Sequence, residues 1–188
     1  MDKTYADTVR LLLAVAPDVF ANDIFAMKGG TAINLFVRDM PRLSVDIDVV
    51  YLPWQTPRDE ALQAINQELA AIATRVAPLG VQTRLVRAKD LGDTKLIVEN
   101  DASQVKIEVN VVFRGSVLPV ERRPLSAKTS DLFGVEFELP VLAPDELYAS
   151  KLVAALDRQH PRDLFDVWQL FESGDISDGM VECFVIYL

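Results

Sequence analysis

The stretch MKGGTAINLFVRDMPRLSVDIDVV, Met27–Val50, decides how this chain is read. A Gly29-Gly30-Thr31 turn stands at the mouth of an expected helix, and a strand carrying Asp46 and Asp48 follows. Backbone N–H groups at a helix N-terminus bind phosphate, and carboxylates at i and i+2 of a strand share one face. Phosphate-holding amides set against a metal-holding acid pair are the parts that phosphoryl or nucleotidyl transfer requires.

Ile24–Met27 reads as a short strand before the turn, Thr31–Val37 as the helix, and Asp39, Pro41 and Ser44 as a loop leading to the Val45–Leu52 strand. Upstream, residues 3–16 carry Val9, Leu12, Leu13 and Ala16 at helical spacing, with Pro17 expected to end the run. Downstream, Pro57–Val76 is a long amphipathic helix, stopped by Pro78 and Gly80. Val81–Val86, Thr94–Glu99, Val105–Val111 and Phe133–Leu139 read as strands. Pro144 opens a helical region of Asp145–Leu156, Arg162–Phe171 and Ile176–Ile186. This order predicts an α/β (α+β) core over residues 1–140 and a C-terminal helical part over 141–188.

The 188 residues, half of them apolar and a quarter charged, suit a globular protein. No apolar run approaches the roughly 20 residues that span a bilayer, and the N-terminus is too polar for a signal peptide. Cys183 is the only cysteine, so no intrachain disulfide forms and a cytoplasmic location is expected, with no membrane partner. A net charge of −9 argues against a general nucleic-acid coat. It leaves room for a local groove from Arg84, Arg87 and Lys89 or from Arg122, Arg123 and Lys128, which otherwise read as solvated charges. Met180–Leu188 is almost wholly apolar and ends without a cap. It packs inside the chain or at a homodimer interface, or else the natural protein continues and this chain is shortened.

Asp46 and Asp48, among Val45, Ile47, Val49 and Val50, are like charges on an apolar strand and call for a counter-ion. Mg²⁺ is the simplest; an edge strand with both acids in water or paired with arginine is the competing reading. Lys28 can reach the same phosphate, or else reads as a solvated lysine. Glu108, on the polar face of the 105–111 strand, completes a three-carboxylate metal site if that strand neighbours the acid pair, and is otherwise an exposed glutamate. Lys151 and Arg158 share a helix face, as do Asp163 and Asp166 on the next helix. These cations can hold a triphosphate while an aspartate orients them, or they form an interhelical ion-pair network. His160 reads as a turn residue, Cys183 as a core residue, and Trp54, Trp168 and Phe171 as packing residues.

Taken together, Lys28-Gly-Gly-Thr-Ala-Ile-Asn-Leu, Arg42-Leu-Ser-Val-Asp46-Ile-Asp48, Lys106-Ile-Glu108-Val-Asn110, Tyr148-Ala-Ser-Lys151-Leu and Arg162-Asp163-Leu-Phe-Asp166 resemble the AbiEii/AbiGii nucleotidyltransferase toxin family. The resemblance runs from about residue 27 to 171 and implies a DNA polymerase β-like nucleotidyltransferase fold, a mixed central sheet flanked by helices. It also implies a toxin of a type IV toxin–antitoxin or abortive-infection system, transferring NMP from NTP to an acceptor, an RNA such as tRNA. A cognate antitoxin would be encoded nearby and Mg²⁺ or Mn²⁺ would be the cofactor. Asp46, Asp48 and Glu108 are then the metal ligands and, with Lys151 and Asp163 or Asp166, the catalytic set. Lys28, Gly29, Gly30, Thr31, Ser44, Lys151 and Arg158 contact nucleotide. The fourteen residues between Thr31 and Asp46 are slightly more than the superfamily pattern has, and family members are commonly longer. A non-catalytic nucleotide-binding or assembly module on the same fold is the alternative.

Overall fold

The computed structural model describes residues 2–88, 92–174 and 176–188. Seven strands form one mixed sheet in the order β3-β4-β5-β2-β1-β7-β6. They are β1 (Phe25–Lys28), β2 (Ile47–Tyr51), β3 (Gln82–Ala88), β4 (Gly92–Glu99), β5 (Gln104–Asn110), β6 (Glu121–Pro124) and β7 (Glu138–Val141). The pairs β2–β5 and β1–β7 are parallel, and the remaining neighbours are antiparallel.

The central strands β1 and β2 are mostly buried, and β5 alternates, which makes one face of the sheet apolar. In β5, Val105, Ile107 and Val109 are buried, whereas Lys106, Glu108 and Asn110 reach the other face half-exposed. Two helices cover the apolar side. The first, α1 (Lys3–Val19), brings Val9, Leu12, Leu13 and Ala16. The second, α3 (Arg58–Val76), buries Ala61, Ile65, Leu69, Ile72 and Val76, a three-to-four-residue spacing that makes one stripe. Asp59 and Glu60 in its first turn and Arg75 in its last complement the helix dipole.

The opposite face is partly covered by α2 (Gly29–Ala32), against which α5 (Pro144–Arg158) packs. From Ile33 to Val37 the α2 segment widens into a π-helical turn. The helices α6 (Pro161–Ser173) and α7 (Asp178–Tyr187) pack on α5. In α7, Met180, Cys183 and Tyr187 are buried while Val181, Val185 and Ile186 face outward. No helix among the described residues is long and apolar enough to cross a membrane.

Several expectations need correction. Pro17 lies inside α1, which continues to Val19, because a proline in the last turn removes only one intrahelical bond. Asp46 precedes β2 instead of lying within it. The expected strand over Phe133–Leu139 is instead the end of a helix, α4 (Ala127–Phe133), followed by β7 from Glu138. Ser126 caps α4 by accepting from the Thr129 N–H, and Gly134 ends it at φ +66°. Trp54, Trp168 and Phe171 are more than half exposed and are not core residues. Arg84 and Arg87 lie on β3, and Lys89 falls outside the described residues. Arg122 and Arg123 lie on β6 and pair with Glu138 and Glu121.

Candidate active site

Strand register assembles the site. Lys28 of β1 lies opposite Asp48 of β2, and Asp48 opposite Glu108 of β5, which in turn lies opposite Lys95 of β4. Residues directly opposite share a face, so four neighbouring strands present a row lysine–aspartate–glutamate–lysine on the side away from α1 and α3. Lys95 Nζ lies 2.5 Å from Glu108 Oε1. Burial, then the charges of Glu108 and Asp46, push the Asp48 carboxyl up to about 6, against the pull of Lys28 and Lys151. Burial likewise draws the Lys28 ammonium below its ordinary value, although Asp48 and Glu146 oppose this.

The Gly29-Gly30 turn closes over this row. Gly29 has φ +78°, and a Cβ there would overlap the Asp48 carboxylate. A Cβ on Gly30 would run into the Arg42 guanidinium. The turn therefore approaches both groups as closely as backbone can. Thr31 is fully buried, and its hydroxyl lies 3.0 Å from that of Ser44, behind the turn.

A second group of charges comes from the C-terminal helices. Lys151 Nζ donates to Asp163 Oδ1 at 2.9 Å and lies 3.3 Å from Asp166 Oδ2. Arg158 also donates to Asp163, through Nε at 2.8 Å. Burial opposes ionisation of Asp163, but the hydrogen bonds and charges of Lys151 and Arg158 outweigh it and hold its carboxyl below the usual range. His160 caps α6, its Nδ1 accepting from the Arg162 N–H, which makes it the turn residue that was expected.

These groups border a cavity of about 830 Å³, within the range of small-molecule sites. Lys28, Gly29, Gly30, Asp48, Glu108, Lys151 and Arg158 line it. Thr31, Ser44, Asp46, Asp163 and Asp166 are not among its lining residues. Among the described residues, no group of three or more His, Cys, Asp or Glu side chains is gathered so as to hold a metal ion.

Two residues carry more of this architecture than their sequence positions suggested. Arg42 grips Asp166 with two hydrogen bonds, Nε to Oδ1 at 2.6 Å and Nη2 to Oδ2 at 2.5 Å, tying the loop before Asp46 to α6. Asn34, fully buried in the π-helical turn, donates to the Gly30 carbonyl at 2.7 Å and accepts from the Arg42 N–H at 3.2 Å. Both lie within the motifs quoted above; the partner of Arg42 is 124 residues away, too far in sequence to be read, whereas those of Asn34 are four and eight residues away.

The fold resembles that of MenT4, a nucleotidyltransferase toxin from Mycobacterium tuberculosis H37Rv, at 22% identity and a TM-score of 0.65. That match covers 98% of this chain and 65% of that one, so the chain spans just under two thirds of that relative's length. The antibiotic-resistance factor ANT(2'')-Ia aligns at 15% identity and a TM-score of 0.49, over the whole of this chain and 92% of that one. No curated protein matches significantly. The family model described as "Nucleotidyl transferase AbiEii toxin, Type IV TA system" matches residues 10–188, almost the whole length. The chain belongs to the AbiEii nucleotidyl transferase toxin family.

Proposed function

We propose that this chain is a cytoplasmic nucleotidyltransferase toxin that transfers NMP from NTP to an acceptor hydroxyl on RNA, such as tRNA, and releases pyrophosphate. The observation that carries this reading is the crowding of Asp48 by Glu108, Asp46 and the Gly29 backbone on the wall of a cavity that also presents Lys28, Lys151 and Arg158. A buried carboxylate with two further acids near it, its carboxyl raised first by burial and then by their charge, fits a hard divalent cation, and Mg²⁺ takes a couple of carboxylates plus substrate phosphates. Asp46 and Asp48, with Glu108 beside them, would hold Mg²⁺ or Mn²⁺. Once bound, the ion supplies charge neutralisation at the phosphoryl oxygens and favours ionisation of the attacking hydroxyl.

The chain's own groups do the rest. Amides of the Gly29-Gly30 turn and the Lys28 ammonium bind phosphate oxygens. Lys151, aimed by Asp163 and Asp166, neutralises charge that grows on the departing pyrophosphate as the bond between the α-phosphorus and its bridging oxygen breaks. Glu108, opposite Asp48 in the row and paired with Lys95, would take the proton of the acceptor hydroxyl. The family also supports a cognate antitoxin encoded nearby.

Induced expression should arrest bacterial growth, and the Asp46→Ala/Asp48→Ala variant should not. Calorimetry with the four NTPs in Mg²⁺, beside a pyrophosphate-release assay, separates the enzyme from a binding module. Nucleotide binding without any pyrophosphate release would overturn the transferase reading.

A further inference from the structure

The cavity lining is chemically mixed. Lys28, the Gly29-Gly30 turn, Lys151 and Arg158 suit phosphate, whereas Phe113 and Tyr187 add aromatic surface. Phe113 is 45% exposed, and its ring meets Tyr187 edge-on with centroids 5.3 Å apart and planes at 63°. Exposed aromatic surface on the wall of a polar cavity is costly to leave in water and suits a flat ligand.

The loop that carries Phe113 is pinned. Asn110 Oδ1 accepts from the N–H groups of Val112 and Phe113, at 2.9 and 3.0 Å. The Gly115 N–H donates to the Tyr51 carbonyl at 2.7 Å. Glu146, fully buried, accepts from the N–H groups of Val117 and Leu118 and from the Tyr187 hydroxyl. Burying a carboxylate is expensive unless it is well bonded. Here it fixes the Tyr187 hydroxyl and the backbone at Val117 and Leu118, four and five residues beyond Phe113.

Register gives the direction. The Gly turn follows Lys28, which faces Asp48; Asn110 faces Val50, two residues farther from the turn along β2. Two residues of strand advance about 7 Å, and Gly115 bonds Tyr51 one residue farther on, so the loop that carries Phe113 is held at its two ends beyond the acid row, on the side away from the turn. We propose that Phe113, backed by Tyr187, is the shelf on which the nucleotide's base stacks while its phosphates occupy the glycine-turn end. This rests on the nucleotidyltransferase reading and adds where the nucleoside lies. Every base has a π face, so the shelf supplies affinity for all four nucleotides.

The test is the affinity of the wild type, Phe113→Leu and Phe113→Trp for each NTP and for inorganic tripolyphosphate, in Mg²⁺. Phe113→Leu keeps apolar bulk without the π face. It should weaken every NTP about tenfold and leave tripolyphosphate unchanged, while Phe113→Trp retains NTP affinity. Unchanged NTP affinity in Phe113→Leu overturns the shelf, and so does an equal loss of tripolyphosphate, which would mean a damaged loop. A wild type that labels RNA while Phe113→Leu binds NTP normally sinks the shelf alone. A wild type that binds neither NTP nor tripolyphosphate sinks the shelf and the transferase reading together.

Discussion

Asp48→Asn isolates the electrostatic strain at the centre of the site. Burial and the neighbouring carboxylates raise the Asp48 carboxyl from 3.8 to about 6, so the folded chain binds this proton more tightly than the unfolded chain does. Wild-type stability should therefore fall as pH rises from about 4 through 6, and the contribution of the protonated form is gone above that. At ~1.4 kcal/mol per pH unit, keeping Asp48 ionised costs roughly 3 kcal/mol. Asparagine resembles the protonated acid and escapes that cost. In EDTA at pH 7.5, Asp48→Asn should be about 2–3 kcal/mol more stable than wild type, which is ~5–10 °C in Tm for a chain of this size. The gap should narrow as pH falls through about 4 and close at about pH 3, below both values, where the carboxyl is protonated in both states of the wild type. Urea melts of both proteins between pH 3 and 8 measure it directly. Adding Mg²⁺ should then raise the stability of the wild type and leave Asp48→Asn nearly unmoved. An asparagine variant less stable than wild type at pH 7.5, or a gap independent of pH, would refute this reasoning.

Other perturbations probe the scaffold. Gly29→Ala puts a Cβ into the Asp48 carboxylate at a left-handed φ, and thermal melts should show a loss of about 2 kcal/mol with phosphate binding impaired. Arg42→Ala leaves Asp166 buried without its bidentate partner, and urea denaturation should report about 3 kcal/mol of destabilisation. Because the two groups act as one unit, the Arg42→Ala/Asp166→Ala double variant should lose much less than the sum of the singles; strict additivity would contradict the pairing.

The sequence made the central elements legible because their signals are local. Alternation in Val105–Asn110, the glycine pair at 29–30 and the stripe on α3 each follow from neighbouring residues. β6 was missed because its residues, Glu121-Arg-Arg-Pro124, carry no apolar alternation, as suits an edge strand that must resist pairing with another chain. The misread strand at Phe133–Leu139 alternates apolar and polar residues, but Ser126 and Gly134 had already fixed a helix across its start. Site residues divide in the same way. Asp48 and Glu108 could be named from their strands, and register then brought them together. Arg42 with Asp166 joins positions 124 residues apart, and no local pattern reports such a pair.

Transfer itself tests the central claim most directly. Purified chain, Mg²⁺, α-³²P-labelled NTP and tRNA should yield labelled RNA and an equal amount of pyrophosphate. The Asp46→Ala/Asp48→Ala variant, folded as judged by its melting curve, should yield neither. Labelling that persists in that variant would contradict the account.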